Sequence, residues 1–60
     1  MITFYLERLH GWNKEWAVIG YCDGEEISRE TFFELYYARM HLLSLEDDGN
    51  VCIDTTMTGY

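Results

Sequence analysis

Proline is missing from the sequence, lysine occurs once, at Lys14, and no apolar run reaches the ~18 to 20 residues that a membrane-spanning helix needs. No membrane association is expected. The opening residues, Met1 to Glu7, lack the basic start of a secretion signal, so a cytoplasmic location is expected. Only two cysteines are present, Cys22 and Cys52, and they form no C-x-x-C pair, which disfavours a zinc knuckle or a thioredoxin-type redox pair. Free, largely buried thiols are the expectation, although small secreted domains often carry a disulfide staple. Repeats, linkers and low-complexity tracts are also absent.

What remains is enough for one core. A chain of 60 residues buries only about 60% of its unfolded surface, and residues 1–60 are expected to form a single small α/β domain. With 48% hydrophobic and 17% aromatic residues, the composition excludes a disordered acidic tail. Eleven carboxylates against four bases leave a formal charge of −7. Direct binding to DNA or RNA is disfavoured by that sign, whereas a basic protein surface, including one that normally holds nucleic acid, is a natural partner. Solubility explains an acidic balance equally well.

Ile2 to Leu9 alternates, with Ile2, Phe4 and Leu6 on one side and Thr3, Tyr5 and Glu7 on the other, the period of a half-buried strand. Turn formers from His10 to Glu15 separate it from a second β-rich run, Trp16 to Cys22, which predicts an antiparallel hairpin. Asp23-Gly24 breaks that run, and Glu25-Glu26 is expected to lead into a helix. Two start signals compete. Ser28 has a hydrophobic staple in Ile27 and Phe32, whereas Thr31 completes a capping box with Glu34; the staple favours Ser28, with Glu30 in the dipole-favoured first turn. From there Phe32, Phe33, Tyr36, Met40 and Leu43 are expected to face the core, with Glu30, Glu34, Tyr37 and His41 on the opposite side. Gly49 is the stop signal, and Val51 to Thr55 alternates again, with Val51 and Ile53 inward and Cys52 and Asp54 outward.

The expected fold is therefore α+β: β-β-α-β, a three-stranded antiparallel sheet of order 2-1-3 with one helix on one face. Cys22 and Cys52 then lie on strands separated by a third, about 9 to 10 Å apart and too far for a disulfide.

Catalysis by either cysteine with His10 or His41 lacks a surrounding signature, and a domain this small rarely encloses a pocket of ~300 Å³. No catalytic residue and no cofactor are expected. Glu46-Asp47-Asp48-Gly49-Asn50 concentrates oxygen ligands but lacks the 12-residue span of a calcium loop, so no metal is expected either. The same cluster opposes the helix dipole at a C-terminal end, which points to turn chemistry or to an external partner. A second acidic group comprises Asp23, Glu25, Glu26, Glu30 and Glu34, the last two placed one helical turn apart. Along a helix, Glu30 and Glu46 would be about 24 Å apart, a length comparable to a short run of DNA phosphates. Tyr5, Tyr37 and Trp12 interleave with this acid as candidate anchors. A flanking stripe of Leu35, Ala38, Leu42 and Leu45 suggests a homodimer seam or a partner contact if it faces solvent.

In overall character, through Asp23-Gly24-Glu25-Glu26, Glu30, Glu34 and Glu46-Asp47-Asp48 on a very short aromatic-rich plan, the chain resembles the anti-CRISPR proteins of phages and mobile elements, particularly those proposed to mimic DNA. The resemblance spans the whole length and matches no defining motif. It implies a non-enzymatic, stoichiometric inhibitor in the host cytoplasm that occupies a Cas effector surface reading DNA or its PAM. Partner-binding residues would be Glu25, Glu26, Glu30, Glu34, Glu46, Asp47 and Asp48, with Tyr37 and Trp12 supplying contact area. The alternative is a small acidic module that self-associates, and the chain is expected to be a monomer or homodimer.

Overall fold

The alternating segment Ile2–Leu9 forms strand β1, and Glu15–Cys22 forms β2, its antiparallel partner from Ile2↔Cys22 to Leu9↔Glu15. These positions come from a computed structural model, which describes residues 2–11 and 15–57. The segment expected to open a helix is instead a third strand, β3 (Glu25–Phe32), antiparallel to β2. Asp23 and Gly24 are the cause. Both take positive φ, 53° and 84°, as the two-residue type I′ hairpin turn requires, so the chain doubles back before a helix can start. Between Gly20↔Ser28 and Tyr21↔Glu26 the register shifts, leaving Ile27 as the extra residue of a bulge.

Helix α1 spans Leu35–Asp47, and β4 spans Val51–Asp54, followed by a 3-10 turn at Thr55–Met57. Neither Ser28 nor Thr31 caps the helix. Its N-cap is Glu34, whose side chain makes no capping hydrogen bond. The far end follows the expected stop at Gly49: the Gly49 N–H donates to the Glu46 carbonyl at 2.9 Å and the Asn50 N–H to the Leu45 carbonyl at 3.2 Å, with Gly49 at φ 93°. That pair of bonds is the Schellman arrangement, which satisfies two carbonyls the helix would leave open.

The sheet is mixed and four-stranded, in the order β3-β2-β1-β4. The expected three-stranded antiparallel sheet is thus corrected in strand number and direction, although β1 does lie between β2 and β4. Because the extra strand reverses the chain once more, the crossover through α1 delivers β4 parallel to β1, from Thr3↔Val51 to Leu6↔Asp54.

One face of this sheet meets α1. Leu6, Val18, Ala38 and Leu42 form the buried centre, with Phe4, Trp16, Phe32, Leu35, Leu45 and Cys52 packed around it. Gly20 belongs to the same face, where a Cβ would sit 2.6 Å from the Ser28 hydroxyl and 2.8 Å from the Phe4 ring, so the ring lies directly over the glycine. The helix therefore presents Leu35, Ala38, Leu42 and Leu45 to the sheet and Tyr36, Met40 and Leu43 to solvent, with Phe33 exposed just ahead of it, the reverse of the expected assignment. Two apolar stripes compete for the sheet, and the aliphatic one wins. Ala38 permits a close approach, and a buried tyrosine would need a partner for its hydroxyl. Of the expected core stripe only Phe32 packs inward, and it does so from β3.

Strand β4 is also turned over. Cys52 and Asp54 face the helix, whereas Val51 and Ile53 are exposed on the opposite face, beside Thr3 and Tyr5. Asp54 accepts a hydrogen bond from Arg39 Nε at 3.2 Å and from the Thr56 N–H at 2.9 Å, and Arg39 donates to the Thr56 hydroxyl at 3.0 Å. The Thr55 hydroxyl donates to the Leu6 carbonyl. These bonds tie the end of the chain to α1 and β1. Both cysteines are free and half-buried, on strands separated by β1.

Candidate partner-binding surface

The outer side of α1 is the largest exposed concentration of apolar side chains among the described residues. Tyr36, Met40 and Leu43 follow one another at spacings of four and three, so they stack along one side of the helix, with Tyr37 beside them and Phe33 just before the N-cap. Tyr36 is 66% exposed and Tyr37 60%. Their rings meet edge to face, with centroids 5.5 Å apart and planes at 73°. This mutual contact fixes two aromatic side chains at low entropic cost, as binding anchors require.

Acid brackets the stripe. Glu34 stands at the N-cap, while Glu46 and Asp47 end the helix and Asp48 caps it, all exposed. Twelve residues separate Glu34 from Glu46, roughly 18 Å along the axis at 1.5 Å per residue. The two basic side chains of the helix are engaged elsewhere: Arg39 reaches Asp54, and His41 lies against the Phe32 ring at 5.4 Å between centroids. The last turn contains no base, and the Schellman bonds explain Gly49 and Asn50 without explaining Glu46 and Asp47.

Other expected contact residues lie apart from this surface. Glu25, Glu26 and Glu30 are on β3, so Glu30 and Glu34 are not one helical turn apart, and no helix links Glu30 to Glu46. β3 is the exposed edge of the sheet, where charged side chains discourage edge-to-edge pairing with other chains. Glu26 accepts two hydrogen bonds from Arg29, at 2.8 and 3.2 Å, and the first effect of that pairing is to hold its carboxyl below the usual range. Trp12 lies outside the described residues. Cys52 is shifted the other way, its thiol pushed up by burial and then by the charge of Glu46.

Two features were not anticipated from the residues alone. The exposed stripe of Tyr36, Met40 and Leu43 reads as core by periodicity, and its phenol group was the signal that could have assigned it outward. The second is a depression of about 450 Å³ on the face of the sheet away from the helix, lined by Thr3, Tyr5, Glu7, Tyr21, Asp23 and Gly24. Its Asp-Gly turn is a strong hairpin signal that places Asp23 at the end of β2, while the β1–β2 register sets Tyr21 beside Tyr5.

Among the described residues no helix is long and apolar enough to cross a membrane, and no three His, Cys, Asp or Glu side chains converge in a way that could hold a metal ion. Compared with protein-family models, curated proteins and solved structures, the chain has no match.

Proposed function

We propose that the chain is a non-enzymatic binding protein that docks the outer side of α1 onto a basic, nucleic-acid-handling protein and blocks its DNA site. The observation that carries this reading is an exposed aromatic and aliphatic stripe with carboxylates at both ends and no free base between them. An apolar centre supplies affinity by excluding water, while charged ends select a cationic partner and speed the encounter. At 3.4 Å per phosphate step along the axis on one strand, 18 Å matches roughly five steps, so the two acidic ends can engage cations spaced to receive DNA. The resemblance to anti-CRISPR proteins directs the proposal to a Cas effector subunit as the partner.

The test is affinity capture of candidate effectors at low and high salt, with a DNA-competition arm. The complex is expected to weaken with salt, to be displaced by target DNA, and to be lost in a variant combining Glu34→Lys, Glu46→Lys, Asp47→Lys and Asp48→Lys. A salt-insensitive complex that tolerates all four reversals would contradict charge-guided docking.

A second reading, self-association, is favoured by the same exposed stripe. The seam expected through Leu35, Ala38, Leu42 and Leu45 is closed, because those residues pack on the sheet. A homodimer through Tyr36, Met40 and Leu43 would bring acidic ends together, so it is expected to strengthen as salt rises. Sedimentation across a salt series separates the two readings by the sign of that dependence.

A further inference from the structure

We propose that the sheet face away from the helix carries a separate site, built from Tyr5, Tyr21, Glu7 and Asp23, that takes the guanidinium group of an arginine side chain presented by another polypeptide. The inference uses different residues from the helix surface and stands independently of it.

The site follows from register. Thr3 pairs with Tyr21 and Tyr5 with Ile19, so Tyr5 and Tyr21 are diagonal neighbours on one face of adjacent strands. Their ring centroids are 5.6 Å apart and their planes stand at 78°, which makes a corner of two aromatic walls. Both side chains are half-buried, so neither ring must be immobilised from free solution on binding. Ile19 and Ala17 are buried on the same face although no helix covers it, which gives the corner an apolar surround.

Carboxylates complete it from two directions. Glu7 lies two residues beyond Tyr5 on the same side of β1, and Asp23 is held in the left-handed conformation of the hairpin turn that follows Tyr21 and Cys22. With Thr3 and Gly24 they line an open depression of about 450 Å³. No base lines it. Among the described residues neither Glu7 nor Asp23 is in an ion pair, and Arg29, a cation on this face, is committed to Glu26.

Two aromatic faces beside two carboxylates define an organic cation as the ligand. A guanidinium suits this geometry better than an ammonium. It is planar, so it stacks on one ring while its edge directs several N–H donors at the carboxylates, and it sheds water more readily. The protein's own chemistry on this face agrees: Glu26 holds Arg29 in its charged form through its hydrogen bonds and then its charge, and the Glu7 carboxylate adds to the effect.

The test is a two-dimensional NMR titration of the intact chain, at low salt, with the capped tripeptide Gly-Arg-Gly and its citrulline and lysine counterparts. Citrulline keeps the shape of arginine and removes the charge. Saturable shifts of the Tyr5 and Tyr21 ring signals are expected with the arginine peptide, with Tyr36 and Tyr37 unmoved. The citrulline peptide is expected to bind at least about fivefold more weakly, and the lysine peptide more weakly than arginine. Glu7→Gln and Asp23→Asn preserve shape, and Asn tolerates the left-handed turn, so each should fold and reduce arginine affinity about two- to fivefold. Tyr21→Leu should reduce it by a similar factor. Equal binding of arginine and citrulline, tighter binding of lysine, shifts confined to the helix tyrosines, or full affinity in both isosteric variants would each overturn the assignment.

Discussion

Leu42 and Leu43 are neighbours of identical chemistry on one helix, yet Leu42 is 6% exposed and Leu43 55%. They belong to two apolar stripes of similar length. The buried one, Leu35, Ala38, Leu42 and Leu45, is aliphatic and has a small residue where the helix must approach the sheet. The exposed one, Tyr36, Met40 and Leu43 with Tyr37 alongside, carries phenol groups that remain in water. Apolar character does not decide which stripe becomes core. Closeness of approach and satisfaction of hydroxyl groups do, and the stripe that loses is left available to another molecule.

The matched pair supplies the sharpest way to break this comparison. Leu42→Ala is expected to cost about 2 to 5 kcal/mol in urea unfolding, through lost burial and the cavity it leaves. A value near zero would mean that the sheet does not receive this stripe. The tightness of the covered face is probed by Gly20→Ala, whose methyl group would press on the Phe4 ring and the Ser28 hydroxyl. A loss of about 1 to 3 kcal/mol is expected from overpacking, read from the same denaturation curves. Leu43→Ala should change stability by no more than about 0.5 kcal/mol while weakening capture of a partner, since its side chain meets mostly solvent.

The smallest effect concerns charge on the sheet edge. Arg29 lowers the Glu26 carboxyl below its ordinary value of 4.5, so the folded state binds this proton less readily than the unfolded chain. The resulting stability is present above pH 4.5 and is lost as pH falls through the lowered value. Glu26→Gln should remove that part of the acid sensitivity, seen by comparing urea midpoints at neutral and acidic pH. The difference should shrink in salt, because both partners are exposed.

Much of the frame was legible in the residues. Period-two alternation marks β1 and β4, a β-rich run marks β2, Gly49 marks the helix end, and the separation of Cys22 from Cys52 by a strand follows from hairpin order. β3 was not, because Ser28, Thr31 and Glu30 imitate a helix start while the Asp-Gly turn argues for a hairpin; the turn wins where Glu25–Phe32 pairs along β2. The faces of β4 were misread for a related reason. A four-residue strand offers two residues to each side, and Val51 and Ile53 outweigh Cys52 and Asp54 in hydrophobicity although the latter pair reaches the helix. For the candidate surface, exposure of Tyr37, Glu46, Asp47 and Asp48 agrees with expectation, whereas their grouping with Tyr36, Met40 and Leu43 depends on which stripe the sheet selects.

The parallel pairing of β4 has a consequence for how the molecule opens. The three preceding strands are joined by local hairpins, but β4 reaches β1 only after the chain has crossed the sheet, and only four residues of ladder hold it there. Closing so long a circuit is expected to make this strand the late arrival in assembly and the first to detach, with Asp54, Arg39 and Thr55 serving as its latch. Amide hydrogen exchange should therefore run fastest, within the sheet interior, along the β1–β4 seam, releasing the edge of β1 while the hairpins stay shut.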